Sequence, residues 1–240
     1  MVYRRILVKL SGESLHGPLD SGIHRPTLTT FAEELISVQK QDVQVAVLIG
    51  GGNLFRGASL TGDGYARVTG DQIGMLSTVI NGLALQDVLE SLGAQTRLMS
   101  SILMDEVAEP YIRRRAIRHL EKGRIVILAG GMGRPYFSTD TAAVQRALEI
   151  GADVVLKGTR VEGAYDKDPE KHKDAKLYDC ISFSRALGED LRVLDPSAFS
   201  LCRDNNLPLI VLNINCCGAL AKAVAGEAIG TLVNASGLRS

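Results

Sequence analysis

Short apolar runs alternate with longer amphipathic stretches along this chain. Arg5-Ile6-Leu7-Val8-Lys9-Leu10 is the first run and stops at Ser11-Gly12. Val43-Gln44-Val45-Ala46-Val47-Leu48-Ile49 is the second and stops at Gly50-Gly51-Gly52. Further runs are Thr96–Met99, Ile125–Leu128, Val154–Leu156, Pro208–Leu212 and a late piece, Thr231–Val233. Several are apolar at every position, the pattern of strands covered on both faces by helices. Between them, Thr27 to Gln39 carries Leu28, Phe31, Leu35 and Val38 at helical spacing, and Asp71 to Leu92 carries Ile73, Leu76, Ile80, Leu83 and Val88. Glu109 to Lys122, Ala142 to Ile150 and Ala198 to Asp204 read as further helices. The alternation predicts an α/β fold, a three-layer α/β/α sandwich with a central, mostly parallel sheet. No repeat or low-complexity linker divides residues 1–240, so a single domain is expected. The polar stretch from Gly163 to Arg192 reads as a lid-like excursion.

Composition narrows the classes of function. In 240 residues, Lys plus Arg number 27 and Asp plus Glu number 27, so the formal net charge is zero and a globally basic nucleic-acid binder is excluded. No apolar window is long enough for a transmembrane helix, and Lys9 interrupts the N-terminal apolar stretch too early for a signal peptide. No membrane or nucleic-acid partner is expected. Cys180, Cys202, Cys216 and Cys217 form no CxxC pair and have no His at zinc-ligand spacing, so no metal site built from protein ligands is expected. Reduced thiols in a cytoplasmic protein are the plain reading.

Two glycine-rich turns carry the candidate chemistry. Gly50-Gly51-Gly52-Asn53-Leu54-Phe55-Arg56-Gly57 follows one strand, and Gly130-Gly131-Met132-Gly133-Arg134-Pro135 follows another. Glycines let backbone N–H groups converge on an anion, and each turn is followed by an Arg that could clamp a phosphate. A helix starting near Asp140 would favour an anion at its N-terminus. Such turns also occur simply to reverse the chain. A P-loop is excluded because no Gly-Lys dipeptide occurs, the Rossmann fingerprint lacks its third glycine in register, and the protein-kinase motifs are absent.

Three segments together resemble a known family. They are Lys9-Leu10-Ser11-Gly12-Glu13, the run from Ile49 to Gly57, and Lys157-Gly158-Thr159-Arg160-Val161-Glu162-Gly163-Ala164-Tyr165 with Asp168-Pro169. The chain is similar to the amino-acid kinase superfamily from about residue 4 to its C-terminus. Within that superfamily, the triple-glycine run and Asp71-Gln72-Ile73-Gly74-Met75-Leu76 resemble the bacterial uridylate kinases. The resemblance implies the amino-acid kinase fold and transfer of the γ-phosphoryl of ATP, with Mg²⁺, to UMP. It implies that Lys9 sits under the transferring phosphates, with Asp195 and Asp140 as catalytic carboxylates and Arg56 where donor and acceptor meet. ATP would lie over Lys9, Leu10, Ser11, Gly12, Gly52, Arg56, Thr159, Tyr165 and Asp168. UMP would meet Gly51, Asp71 and the segment Met132, Gly133, Arg134, Pro135, Tyr136, Phe137, Ser138 and Thr139. Asp195 before Pro196 also reads as an ordinary helix N-cap, and Asp71 as another.

The chain departs in places from the pattern of the family it resembles. Met132 and Arg134 replace smaller neutral polar residues of a Gly-Thr-Gly-Asn-Pro type loop, and Glu162 stands where Asp is common. The resemblance implies an allosteric homohexamer inhibited by UTP. GTP activation stays open, because Gln86 and Glu90 stand where some activated relatives carry basic residues, whereas Arg97 and Arg124 match. Two alternatives remain: a kinase of the same fold acting on a carboxylate or carbamate, and a nucleotide-binding sensor without turnover.

Overall fold

The structure is a computed structural model, described for residues 2–55, 64–191 and 193–239. Its strands are β1 (Arg5–Leu10), β2 (Gln44–Ile49), β3 (Thr96–Ser100), β4 (Glu109–Pro110), β5 (Ile125–Ala129), β6 (Val154–Thr159), β7 (Cys180–Ser182), β8 (Leu209–Asn213) and β9 (Thr231–Asn234). Among the described residues they form one sheet in the order β4-β3-β5-β2-β1-β6-β8-β9-β7. Every neighbouring pair is parallel except β8 with β9. The helices are α1 (Arg25–Gln39), α2 (Arg67–Ser91), α3 (Arg113–Glu121), α4 (Thr139–Ile150), α5 (Phe183–Gly188), α6 (Pro196–Asp204) and α7 (Ala219–Ala225), with a 3-10 turn at Gly12–Leu15.

The strands are apolar throughout because both faces are covered. Ile6, Val8 and Leu10 of β1, with Val45, Val47 and Ile49 of β2, join the core against α1, α2 and α7. Leu7 and Val155 face the opposite core, shared with Ala142, Ala143 and Ala147 of α4 and Ala198 and Phe199 of α6. Successive side chains in a strand point to opposite faces. Lys9 and Lys157 therefore share the face of Leu7 and Val155, and they are register partners on neighbouring strands. The expected three-layer architecture is the observed one.

Several expectations are corrected. The helix read from Glu109 begins at Arg113, and Glu109–Pro110 forms a two-residue strand beside β3. Pro110 has no N–H to continue a helical ladder. The long central helix starts at Arg67, four residues before Asp71, so Asp71 lies inside the helix and is not its N-cap. The stretch from Gly163 is less of an excursion than its polarity suggests. Tyr165 bridges Leu177, Cys180–Ser182 pairs with β9, and α5 follows directly.

Candidate active site

The C-terminal ends of the central parallel strands carry the site, as in other open α/β sheets. Lys9 ends the apolar part of β1 and is only 7 % exposed. Its Nζ lies 2.7 Å from Asp140 Oδ1, and Lys157 Nζ lies 2.6 Å from Asp140 Oδ2. Lys157 also donates to the carbonyl of Val193. One carboxylate on the first turn of α4 thus holds two ammonium groups from adjacent strands. Burial opposes ionisation of Asp140, but the charges of Lys9 and Lys157 outweigh it and hold the carboxyl below its usual range. Burial pulls the Lys157 ammonium below its usual range, Asp140 offsets part of this, and the like charge of Lys9 adds to it.

Asp195 stands beside this cluster and is the N-cap of α6. Its Oδ1 accepts from the N–H groups of Ser197 at 3.0 Å and Ala198 at 3.1 Å. It also accepts from the hydroxyls of Ser138 and Thr141. Ser138 is itself the N-cap of α4, accepting from Thr141 N at 3.0 Å. The caps of two helices are tied together, and both helix N-termini, which favour anions, face one place.

The two glycine turns wall a second space. Gly12 presses on the turn after β2: a Cβ there would come within 2.6 Å of Gly52 N and 2.7 Å of Gly50 O. Asn81 of α2 donates to Gly50 O at 2.8 Å and exchanges amide hydrogen bonds with Asn53 at 2.7 and 3.0 Å, all buried. A cavity of about 300 Å³ opens beside this turn, lined among others by Gly51, Gly52, Asp71, Arg134, Phe137 and Thr139. Met75 and Thr78, which the sequence did not single out, line it too. Thr78 Oγ1 accepts from Gly130 N at 2.7 Å. Asp71 accepts from the Tyr136 N–H at 2.8 Å and pairs with Arg67. Tyr136 is held at φ 71°, a left-handed conformation uncommon for a residue with a Cβ. Of the remaining loop residues, Met132 packs on the core beneath α4, Gly133 abuts Ser101, and Pro135 is half-buried.

Another cavity, of about 400 Å³, is reached from Lys157 through Val193, whose carbonyl accepts from it. Its lining includes Val161, Gly163, Tyr165, Asp168 and Val193. Asp168 Oδ1 accepts from Glu170 N at 3.0 Å. The Thr159 hydroxyl donates to the carbonyl of Val161, a residue of this lining, at 2.7 Å. Leu10 points its side chain into the core against α1, leaving only its backbone to the site. Ser11 is half-buried just before the 3-10 turn, and Gly52 lines the 300 Å³ cavity and not this one. Arg56 lies outside the described residues.

Sequence reasoning missed Lys157 as a site residue. Its signal was available: Val154-Val155-Leu156-Lys157 repeats the form of Ile6-Leu7-Val8-Lys9, a lysine closing a buried strand.

Comparison with known proteins gives a consistent set of similarities. Residues 4–213 match the model of the amino acid kinase family. The chain is 55% identical over 231 residues, 96% of each chain, to the uridylate kinase of Xanthomonas oryzae pv. oryzae, and equally to that of Xanthomonas axonopodis pv. citri. It is similar to the crystal structure of UMP kinase from Bacillus anthracis, with TM-score 0.95 and 39% identity over 98% of both chains. The UMP kinase of Ureaplasma parvum superposes with TM-score 0.91 at 33% identity, covering 98% of this chain and 100% of the other.

Proposed function

This chain belongs to the amino acid kinase family, and we propose that within it the protein acts as a uridylate kinase, transferring the γ-phosphoryl of Mg·ATP to UMP to give UDP and ADP in pyrimidine nucleotide synthesis. One observation carries the reading. Lys9 and Lys157 meet on Asp140, and the cluster is joined to both cavities: Thr139, next to Asp140, lines one, and Val193, which accepts from Lys157, lines the other.

Phosphoryl transfer between two anions needs positioning and charge cancellation more than covalent help. In this reading UMP occupies the cavity of Gly51, Asp71 and Thr139, and ATP occupies that of Tyr165 and Asp168. An oxygen of the UMP phosphate attacks the γ-phosphorus, the bond to the β–γ bridging oxygen breaks, and ADP leaves with that electron pair. A phosphate monoester has its second pKa at about 6, so the attacking oxygen needs no general base at neutral pH. That agrees with an Asp140 whose two oxygens are engaged by lysines. Lys9 and Lys157 act as fixed positive charges on the transferring group, and Asp140 aims them. Asp195 keeps the N-termini of α4 and α6 together, and the amides of Gly12 and Gly52 serve as anion donors. Among the described residues no cluster of His, Cys, Asp or Glu would hold a metal by itself, so Mg²⁺ would be held chiefly by the bound triphosphate, where it would screen phosphoryl charge.

The same reading includes a homohexamer under allosteric control, supported by Leu76, Ile80 and Leu83 exposed at helical spacing along α2. It includes UTP inhibition at the nucleotide sites, and a cytoplasmic location, supported by four free cysteines. Gln86 and Glu90 are bound to each other and to Thr96.

The test is ADP release from Mg·ATP with UMP, CMP, dUMP and a panel of carboxylates as acceptors. Turnover with UMP far above the others is the expected result; turnover with a carboxylate and none with UMP overturns the assignment. Parallel reactions with GTP and UTP read the effector response.

A further inference from the structure

Arg146 is a buried cation that the phosphoryl-transfer centre does not use. It lies on α4, on the turn after Asp140, and is 8 % exposed. Its guanidinium stacks 3.9 Å from the centre of the Tyr111 ring, and Nη1 pairs with Glu149 Oε2 at 2.6 Å. Its Nη2 donates to Ser101 Oγ at 3.0 Å, and Ser101 Oγ donates to the carbonyl of Gly131 at 2.8 Å.

The direction of this relay follows from its chemistry. Arginine can only donate, whereas a serine hydroxyl has one proton to give. With Arg146 filling an acceptor position on Ser101, the serine proton is left for Gly131. The turn it holds packs against Ser101 at two points. A Cβ on Gly133 would stand 2.7 Å from Ser101 O, and one on Gly130 would stand 3.0 Å from Ser101 N. Gly131 and Arg134 line the cavity assigned above to UMP. Burying a guanidinium is costly even when it is paired, and an apolar side chain could fill the space against Tyr111. An apolar side chain could not orient the Ser101 proton.

We infer that Ser101 and Arg146 are positioning residues for the acceptor nucleotide: Arg146 turns the Ser101 hydroxyl onto the Gly131 carbonyl, which fixes the Gly130–Arg134 turn in the shape the acceptor meets. The inference rests on the reading of that cavity as the UMP site.

The test uses the full chain with Ser101→Ala, Arg146→Met, Arg146→Lys and the double variant Ser101→Ala/Arg146→Met. UMP is varied at saturating Mg·ATP, then Mg·ATP at saturating UMP. Ser101→Ala is expected to raise KM for UMP about five- to tenfold, the worth of one such hydrogen bond, with kcat and KM for ATP nearly unchanged. Arg146→Met should do the same, and the double variant should be no worse than the poorer single, because Arg146 acts through Ser101. Arg146→Lys, also a pure donor, should recover part of the loss. Hydrogen exchange of the 131–136 amides without substrate should quicken in Ser101→Ala. Additive effects in the double variant, equal rises in both KM values, or a lowered Tm with both KM values intact would overturn the inference. If the wild type does not use UMP but exchange still responds to Ser101→Ala, the acceptor assignment falls and the positioning role stands. If exchange is also unchanged, the positioning role falls.

Discussion

Asp140→Asn removes one charge and keeps the side chain's shape. In the native protein the carboxylate sits 2.7 Å from Lys9 Nζ and 2.6 Å from Lys157 Nζ. At an effective dielectric of about 20, each such contact is worth about 6 kcal/mol before desolvation is counted. Desolvation offsets much of this, and breaking a buried pair costs about 3–5 kcal/mol net. In the variant, two ammonium groups on adjacent strands face each other with no carboxylate between them. Burial already pulls Lys157 down, and Asp140 supplies the largest opposing influence, so its loss lowers that pKa further. A lysine cancels phosphate charge only while it is protonated. The variant therefore keeps most activity at low pH and loses it as pH rises through the lowered lysine pKa. The assay is kcat from ADP release between about pH 6 and about pH 9, read as the ratio of variant to wild type so that titration of the substrates cancels. At the alkaline end the ratio should fall to about one part in a hundred to a thousand, the usual cost of losing one well-aimed charge. A pH-independent ratio near one would refute the claim that Asp140 keeps Lys157 charged.

Three further outcomes are expected. Lys9→Ala should lower kcat about a hundred- to a thousandfold while ATP affinity, followed by equilibrium titration, changes little; wild-type turnover would remove Lys9 from the reaction centre. Gly51→Ala would drive a Cβ to 2.7 Å from both Gly74 O and Ser77 Cβ on α2, so thermal unfolding should show a loss of about 1–3 kcal/mol and KM for UMP should rise. Thiol titration with an aromatic disulfide at mildly alkaline pH should label exposed Cys216 and Cys217 quickly. Cys202, whose thiol burial pushes up to about 12, should react only after unfolding, and fast labelling of Cys202 would contradict its place on the core-facing side of α6.

The strands were legible because a doubly covered strand has no polar face to confuse the pattern. β1 was read from Arg5 to Leu10 and spans those residues, and β2, β3, β5 and β6 differ only at their ends. β4 and β7 were missed because two or three residues carry no period, and each exists only because a neighbour offers an edge. The start of α2 was misplaced because Asp71 looks like a cap, whereas its carboxylate faces Arg67 and the Tyr136 amide, 65 residues away. The lysine at the end of β1 was found because it breaks an apolar run. Its partner at the end of β6 was passed over, although the register that joins them follows from placing β1 beside β6. Nothing local could show that one carboxylate serves both lysines, or that the caps of α4 and α6 share a hydrogen-bond network. Those arrangements exist only once the helices are packed.

The two halves of the site are made of different material. Lys9 and Lys157 stand on the middle strand and its neighbour, where a one-residue slip would turn each to the opposite face and break the core at the same time. The cavity proposed for the acceptor is bounded by a glycine turn, one face of α2 and residues of the loop from Gly131 to Phe137, which the sheet does not dictate. Exposed positions of the loop can therefore change while the charge cluster stays locked to the fold. A designer seeking a new acceptor has the same freedom and the same boundary: exposed Arg134 and Phe137 and the facing positions of α2 are open to exchange, whereas Gly133, pressed against Ser101, and the strand ends are not.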